Sequence, residues 1–154
     1  MRGDFNPGSR GKRTFFPKGK DGRDENEVMV FFQSQNFKDE WITIGIDKEF
    51  VDFAEKIGQF MAKKGLTNSK IRSIYGEMKR IQMGTFEKEK SSFYLLRPKV
   101  AYAYGRDRLN KGLELFKILF DKCSDKVVDQ TTFTNFSQIF EAVLAYHKAY
   151  GGKD

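Results

Sequence analysis

Cysteine and histidine are almost absent from this chain: 154 residues hold one of each, Cys123 and His147. A single cysteine excludes an internal disulfide and fits a reducing cytoplasm. Together the two counts exclude zinc sites of the CxxC kind, multi-histidine metal sites and two-histidine nuclease mechanisms. Long apolar runs are missing as well. None approaches the roughly 20 residues that a membrane span needs, and the chain does not open on the apolar stretch of a secretory signal. Gly-rich phosphate loops followed by Lys-Ser or Lys-Thr are lacking. The acids, among them Glu87, Glu89, Asp125 and Asp129, are scattered without a metal-binding spacing. No nucleophile, base and orienting group come together, so neither catalysis nor a bound cofactor is expected.

What the chain does have is aromatic rings and positive charge. It carries 16 Phe and 6 Tyr, and Lys+Arg number 28 against 21 Asp+Glu, a net charge of +7 with a pI near 9.4. That excess favours a polyanionic partner, and composition alone leaves nucleic acid and anionic membrane both open. Part of the charge sits at the start. Between Met1 and Arg23 seven basic residues stand against Asp4 and Asp21, an excess of five. This stretch is rich in Gly and Arg and holds two of the three prolines. With few aliphatic residues it cannot offset its ordering entropy, and it reads as disordered. Its Arg-Gly pairs and Phe5, Phe15 and Phe16 resemble segments that bind single strands without sequence preference; a solubilising tail is the other reading. The chain therefore divides into a basic, Gly/Arg-rich flexible tail and linker, 1–36, and a domain, 37–154.

The domain reads as all-α, a small bundle of about five helices. Trp41–Ile46 leads in as a short apolar, partly alternating stretch, compatible with a brief extended segment. Asp47–Lys64 has helical spacing, with Asp47 as N-cap and Gly65 as stop. A second helix, capped by Thr67 or Asn68, carries Ile71, Ile74, Tyr75, Met78 and Ile81 and ends at Gly84. A third starts after Thr85 with Glu87 in its first turn. Pro98 then imposes a kink or a new helix running to about Tyr104. A fourth spans about Arg106–Cys123, with Leu109, Leu113, Phe116, Leu119 and Phe120 on one face. A fifth spans about Thr132–Tyr150, with Phe133, Phe136, Ile139, Phe140, Val143 and Leu144 inward, and Gly151 and Gly152 stop it. Short connections favour antiparallel neighbours.

Cations recur on these helices beside tyrosines. Lys70, Arg72, Lys79 and Arg80 fall on the second helix. Arg97, Lys99 and Arg106 are interleaved with Tyr94, Tyr102 and Tyr104. Cations on a fixed scaffold suit phosphates, and neighbouring tyrosines can stack on bases. The plainer reading has the cations solvating helix faces and the tyrosines in the core; the net charge favours RNA. His147, near the end of the last helix, suits the helix dipole, and Cys123 reads as an inert thiol.

Three segments carry a family resemblance: LTNSKIRSIYGEM (Leu66–Met78), LLRPKVAYAYGR (Leu95–Arg106) and FTNFSQIFEAVLAYHKAYGGKD (Phe133–Asp154). In this order and spacing they resemble the small subunit of the type III-A CRISPR effector complex, the Csm complex, over about residues 47–154. The resemblance implies a helical bundle without catalytic activity, present in several copies beside the backbone subunits that hold the guide RNA. It implies support of the guide–target RNA duplex through basic side chains, while target cleavage, DNA cleavage and cyclic oligoadenylate synthesis reside in other subunits. Base pairing would then read the sequence, and the protein only backbone and shape. Arg72, Arg97, Lys99 and Arg106 fall in the resembling segments and lead the RNA-contact candidates; Lys63, Lys64, Lys70, Lys79 and Arg80 follow. Some of these cations could bridge to neighbouring subunits, and Glu77 and Glu141 are placed to pair with arginines. The expected partners are the RNA duplex, the other Csm subunits and copies of the chain itself, with no membrane. The type III-B small subunit, a helical adaptor with incidental charge and a small ribonuclease are the alternatives.

Overall fold

A computed structural model describes residues 27–152, and the tail expected before residue 27 lies outside them. Among the described residues there are seven helices and no strand. The first, α1, covers 27–34. It is followed by α2 (Glu40–Thr43), α3 (Lys48–Lys63), α4 (Asn68–Gln82), α5 (Phe86–Gly105), α6 (Lys111–Ser124) and α7 (Gln130–Ala149).

The two added helices correct the expected count of five, and both lie where a linker or an extended segment was expected. Residues 27–34 belong to the bundle because Val28 and Phe32 are buried and the Phe31 ring stacks on Phe60, 4.2 Å between centroids. Of the Trp41–Ile46 stretch, compatible by its sequence with a brief extended segment, 41–43 lie in the single turn of α2 and 44–46 follow it as a turn and loop. One turn is enough to bury Trp41 and Ile42, and the Trp41 Nε1–H donates to the Asp47 carboxylate at 2.9 Å. That same carboxylate accepts the Phe50 N–H and so caps α3, which ends where Gly65 takes a φ of 91°.

Pro98 neither ends α5 nor starts a new helix; α5 runs through it. Proline removes a single donor, the one that would reach the Tyr94 carbonyl. Pro98 and Tyr94 both lie on the exposed side, where water can satisfy that oxygen. The expected start of the fourth helix at Arg106 is also corrected. Asn110 caps α6 by accepting the Leu113 N–H at 2.9 Å. Leu109 therefore precedes the helix and is 94% exposed. The last helix has the expected inward face, except that Leu144 is only partly buried. Asp129 and Thr132 form a capping box at its start.

Two aromatic clusters fill the core. Phe32, Phe37, Trp41, Phe50 and Phe53 pack where α1, α2 and α3 meet. Phe86, Phe93, Phe116, Phe120, Phe133, Phe136 and Phe140 join α5, α6 and α7. Helix α7 ties the halves together. Its Asn135 Nδ2 donates to the Ile42 carbonyl at 2.8 Å. Its His147, far from solvent, lies with Nε2 2.6 Å from the Leu66 carbonyl oxygen and its ring beneath Gly152. The one histidine is thus a structural link between α7 and the turn after α3. Cys123 is buried, and burial pushes its thiol pKa well up, which removes the thiolate that reactivity needs.

Gly76, in the middle of α4, contrasts with this packing: nothing lies within 4 Å of where its Cβ would stand. Gly76→Ala is expected to stabilise the fold by about 0.5–1 kcal/mol, because alanine loses less backbone entropy in a helix. Urea unfolding reads the change, and a loss of stability would contradict the open space beside α4.

Candidate nucleic-acid interface

Helix α4 is the axis around which the basic residues divide. Its buried stripe, Ile71, Ile74, Met78 and Ile81, holds it to the bundle. One flank then faces α5 and the other α7.

On the α5 side the helices run antiparallel: Lys70 pairs with Asp107 just beyond the end of α5, at 3.2 Å, and Arg80 with Glu89 near its start, at 3.1 Å. Between them lies an open groove of about 680 Å³. Its walls are Ser69, Lys70, Ser73 and Ile74 from α4, and Leu95, Pro98, Lys99, Tyr102 and Ala103 from α5, with Arg106 at the end. The α5 members recur at steps of three and four, so one stripe of that helix lines the groove. Three candidate cations, Lys70, Lys99 and Arg106, thereby converge from two helices and a cap, and no acid is among the lining residues. Among the described residues no carboxylate lies within 4.0 Å of Lys99 or Arg106. The Arg106 guanidinium stands over the Tyr102 ring, 5.7 Å from its centroid, within cation–π range.

The other candidates lie elsewhere. Arg97 faces α6, 3.3 Å from Asp121 and 3.8 Å from Asp125. Arg80 is clasped by Glu77 and Glu89; the guanidinium beside Glu77 holds that carboxyl below its usual range. Lys79 reaches Glu141 on α7 at 2.9 Å and covers the Tyr75 ring. Glu77 thus pairs with an arginine as expected, whereas the partner of Glu141 is a lysine. Lys63 and Lys64 close α3, Lys64 bonded to Glu27 at 3.3 Å. Arg72 lines a second groove, about 540 Å³, between α4 and α7, with Asn68, Ile71, Tyr75, Gly76, Glu141, Leu144, Ala145 and Lys148. Surface pairs of this kind contribute little to stability, but they draw the paired cations towards the chain's own acids.

Sequence reasoning did not single out Leu95 and Pro98 as site residues. The signal was present: Leu95, Pro98 and Tyr102 keep helical spacing on the side of α5 opposite Phe93, Leu96 and Val100, and one helix needs only one apolar stripe to join a bundle. Of the three tyrosines expected beside the cations, only Tyr102 lines the groove; Tyr94 packs edge-on against Phe86 and Phe93, and Tyr104 is packed against the core. Among the described residues no group of three or more His, Cys, Asp or Glu could hold a metal ion, and no helix is long and apolar enough to cross a membrane.

Comparison with known proteins adds two findings. The family model described as Csm2 Type III-A matches residues 47–153. A protein of Streptococcus thermophilus described as CRISPR system Cms protein Csm2 is 33% identical over 121 residues, covering 70% of this chain and 96% of that protein. No solved structure matches the chain.

Proposed function

Since this chain belongs to the Csm2 family of the type III-A CRISPR system, we propose that it serves there as a non-catalytic small subunit whose α4/α5 groove supports the guide–target RNA duplex. The observation that carries this reading is the convergence of Lys70, Lys99 and Arg106 on one groove without an acid among its lining residues. Fixed cations neutralise phosphates and release counterions whatever the sequence, and a subunit that leaves reading to base pairing needs nothing more selective.

The α4/α7 flank supports a different contact. Ile71, Tyr75, Gly76, Leu144 and Ala145 line it beside the charged Arg72, Glu141 and Lys148, a mixed composition with an acid in it that is closer to a protein interface than to a phosphate track. The other Csm subunits and further copies of the chain are the partners we assign to that side.

Fluorescence anisotropy with labelled RNA across a salt series tests the RNA reading. The triple variant Lys70→Glu/Lys99→Glu/Arg106→Glu should bind at least tenfold more weakly than the full wild-type chain. On a single strand the slope of log affinity against log salt should flatten by about 0.7 for each phosphate that is no longer neutralised. Arg97→Glu, outside the groove, should change little. Wild-type affinity and slope in the triple variant would refute the assignment.

A further inference from the structure

Helix α5 carries one apolar face more than the bundle uses. Phe93, Leu96 and Val100 are buried against the core. On the other side Leu95 and Tyr102 remain 59% and 67% exposed, with Pro98, also exposed, between them. These three side chains line the α4/α5 groove together with the Lys70, Lys99 and Arg106 cations and the Ser69 and Ser73 hydroxyls. Phosphates alone would ask only for the cations. An exposed ring beneath a guanidinium, continued by a leucine and a proline, is the surface on which the face of a nucleobase stacks.

A base inside a duplex has both faces covered by its neighbours, and the deep, narrow groove of A-form RNA withholds its edge. The apolar stripe can therefore be used only by a base that stands outside the helix. We propose that the α4/α5 groove holds one unpaired nucleotide, with its base on Leu95, Pro98 and Tyr102 and its flanking phosphates on Lys70, Lys99 and Arg106. The groove volume lies within the range of about 300–1,000 Å³ typical of small-ligand sites. The Ser69 and Ser73 hydroxyls can donate to or accept from any base edge, so the site would not select one base. Lys70 would exchange its exposed bond to Asp107 for a phosphate, a small loss for a solvent-accessible pair. This inference rests on the RNA reading of the groove and adds which part of an RNA enters it.

The test compares three synthetic RNAs on the full chain by anisotropy: a fully paired duplex, the same duplex with one unpaired uridine, and the same with an abasic ribose at that position. The bulged duplex should bind about tenfold more tightly than the paired one, in line with the strength of base–aromatic stacking. The abasic ribose should forfeit most of that gain. Tyr102→Ala should abolish the preference, so that the bulged and paired duplexes bind alike, and Tyr102→Trp should retain it. Equal binding of all three RNAs, with the triple charge reversal still weakening each, would overturn the unpaired nucleotide and leave the phosphate reading standing. A chain that binds none of them overturns both. If Tyr102→Ala spares RNA binding, the bulge preference included, but blocks incorporation into a complex assembled from the other Csm subunits, the apolar stripe is a protein-docking surface and the proposal falls.

Discussion

Gly58→Ala should lower the stability of the fold by about 3 kcal/mol, towards the upper end of what overpacking costs, although alanine is by about 1 kcal/mol the better helix former. The reason is what stands beside it. Helix α3 crosses α7 at this residue, and a Cβ there would lie 2.7 Å from the His147 backbone nitrogen and from the Tyr146 Cβ, and 2.8 Å from the Val143 carbonyl oxygen. None of these atoms can rotate aside, because each is fixed to the α7 backbone. The helices must part, and the buried Ala54, Ile57 and Met61 of α3 pack less closely as they do. For a domain of this size the melting temperature should fall by roughly 6–12 °C. Gly76→Ala, in a helix of similar length but beside open space, is the internal control with the opposite sign. Equal melting temperatures for the two variants would show that the α3–α7 crossing is looser than the structure has it. RNA affinity below the melting temperature should be unaffected by Gly58→Ala, since residue 58 lies on α3 and is not among the residues that line the α4/α5 groove.

Phe136→Ala is the second large effect, a loss of about 4 kcal/mol. Phe136 is fully buried, with ring centroids of Phe140, Phe93 and Phe120 at 4.8, 5.2 and 5.4 Å and that of Phe133 at 6.3 Å. It therefore joins helices α5, α6 and α7 through one side chain. Truncation removes the apolar area it buries, leaves a void its neighbours cannot close, and forfeits edge-to-face packing that contributes beyond area. The urea midpoint should fall while the dependence on urea concentration stays constant, because the surface exposed on unfolding hardly changes. Phe136→Leu should recover about half of the loss. A deficit under about 1 kcal/mol for the alanine variant would mean that the cluster collapses around the gap. With total stabilities of about 5–15 kcal/mol usual for such domains, either variant alone should remain folded at room temperature.

The helices from α3 onward were legible because their signals are local. Asp47 and Thr85 each place an oxygen on an N–H three residues ahead, a bond decided within one turn. The apolar stripes of α3, α4 and α7 likewise follow from spacing alone. Three features escape such local reasoning. Residues 27–34 and 40–43 form helices because Phe31, Phe32, Trp41 and Ile42 find partners on α3 and α7. Pro98 stays within α5 because the packing turns it to solvent, where water can replace the missing bond. Leu109 lies outside because Asn110 begins the helix one residue later.

For the candidate site, net charge and the Lys/Arg/Tyr company of residues 70–106 were properties of the sequence by itself, and so was the poverty in groups that do chemistry. Periodicity also determined that Ile71, Ile74, Met78 and Ile81 form the inward stripe of α4, which leaves its cations off the buried face. Which cations meet was decided only by the tertiary structure. Antiparallel packing of α4 on α5 sets Lys70 beside Lys99 and Arg106. The approach of α6 takes Arg97 towards Asp121 and Asp125, and α7 claims Lys79 for Glu141. A charged side chain ends several ångströms from its backbone, so its neighbours come from whichever helix lies alongside. That choice is made by the buried faces, which carry none of the charge.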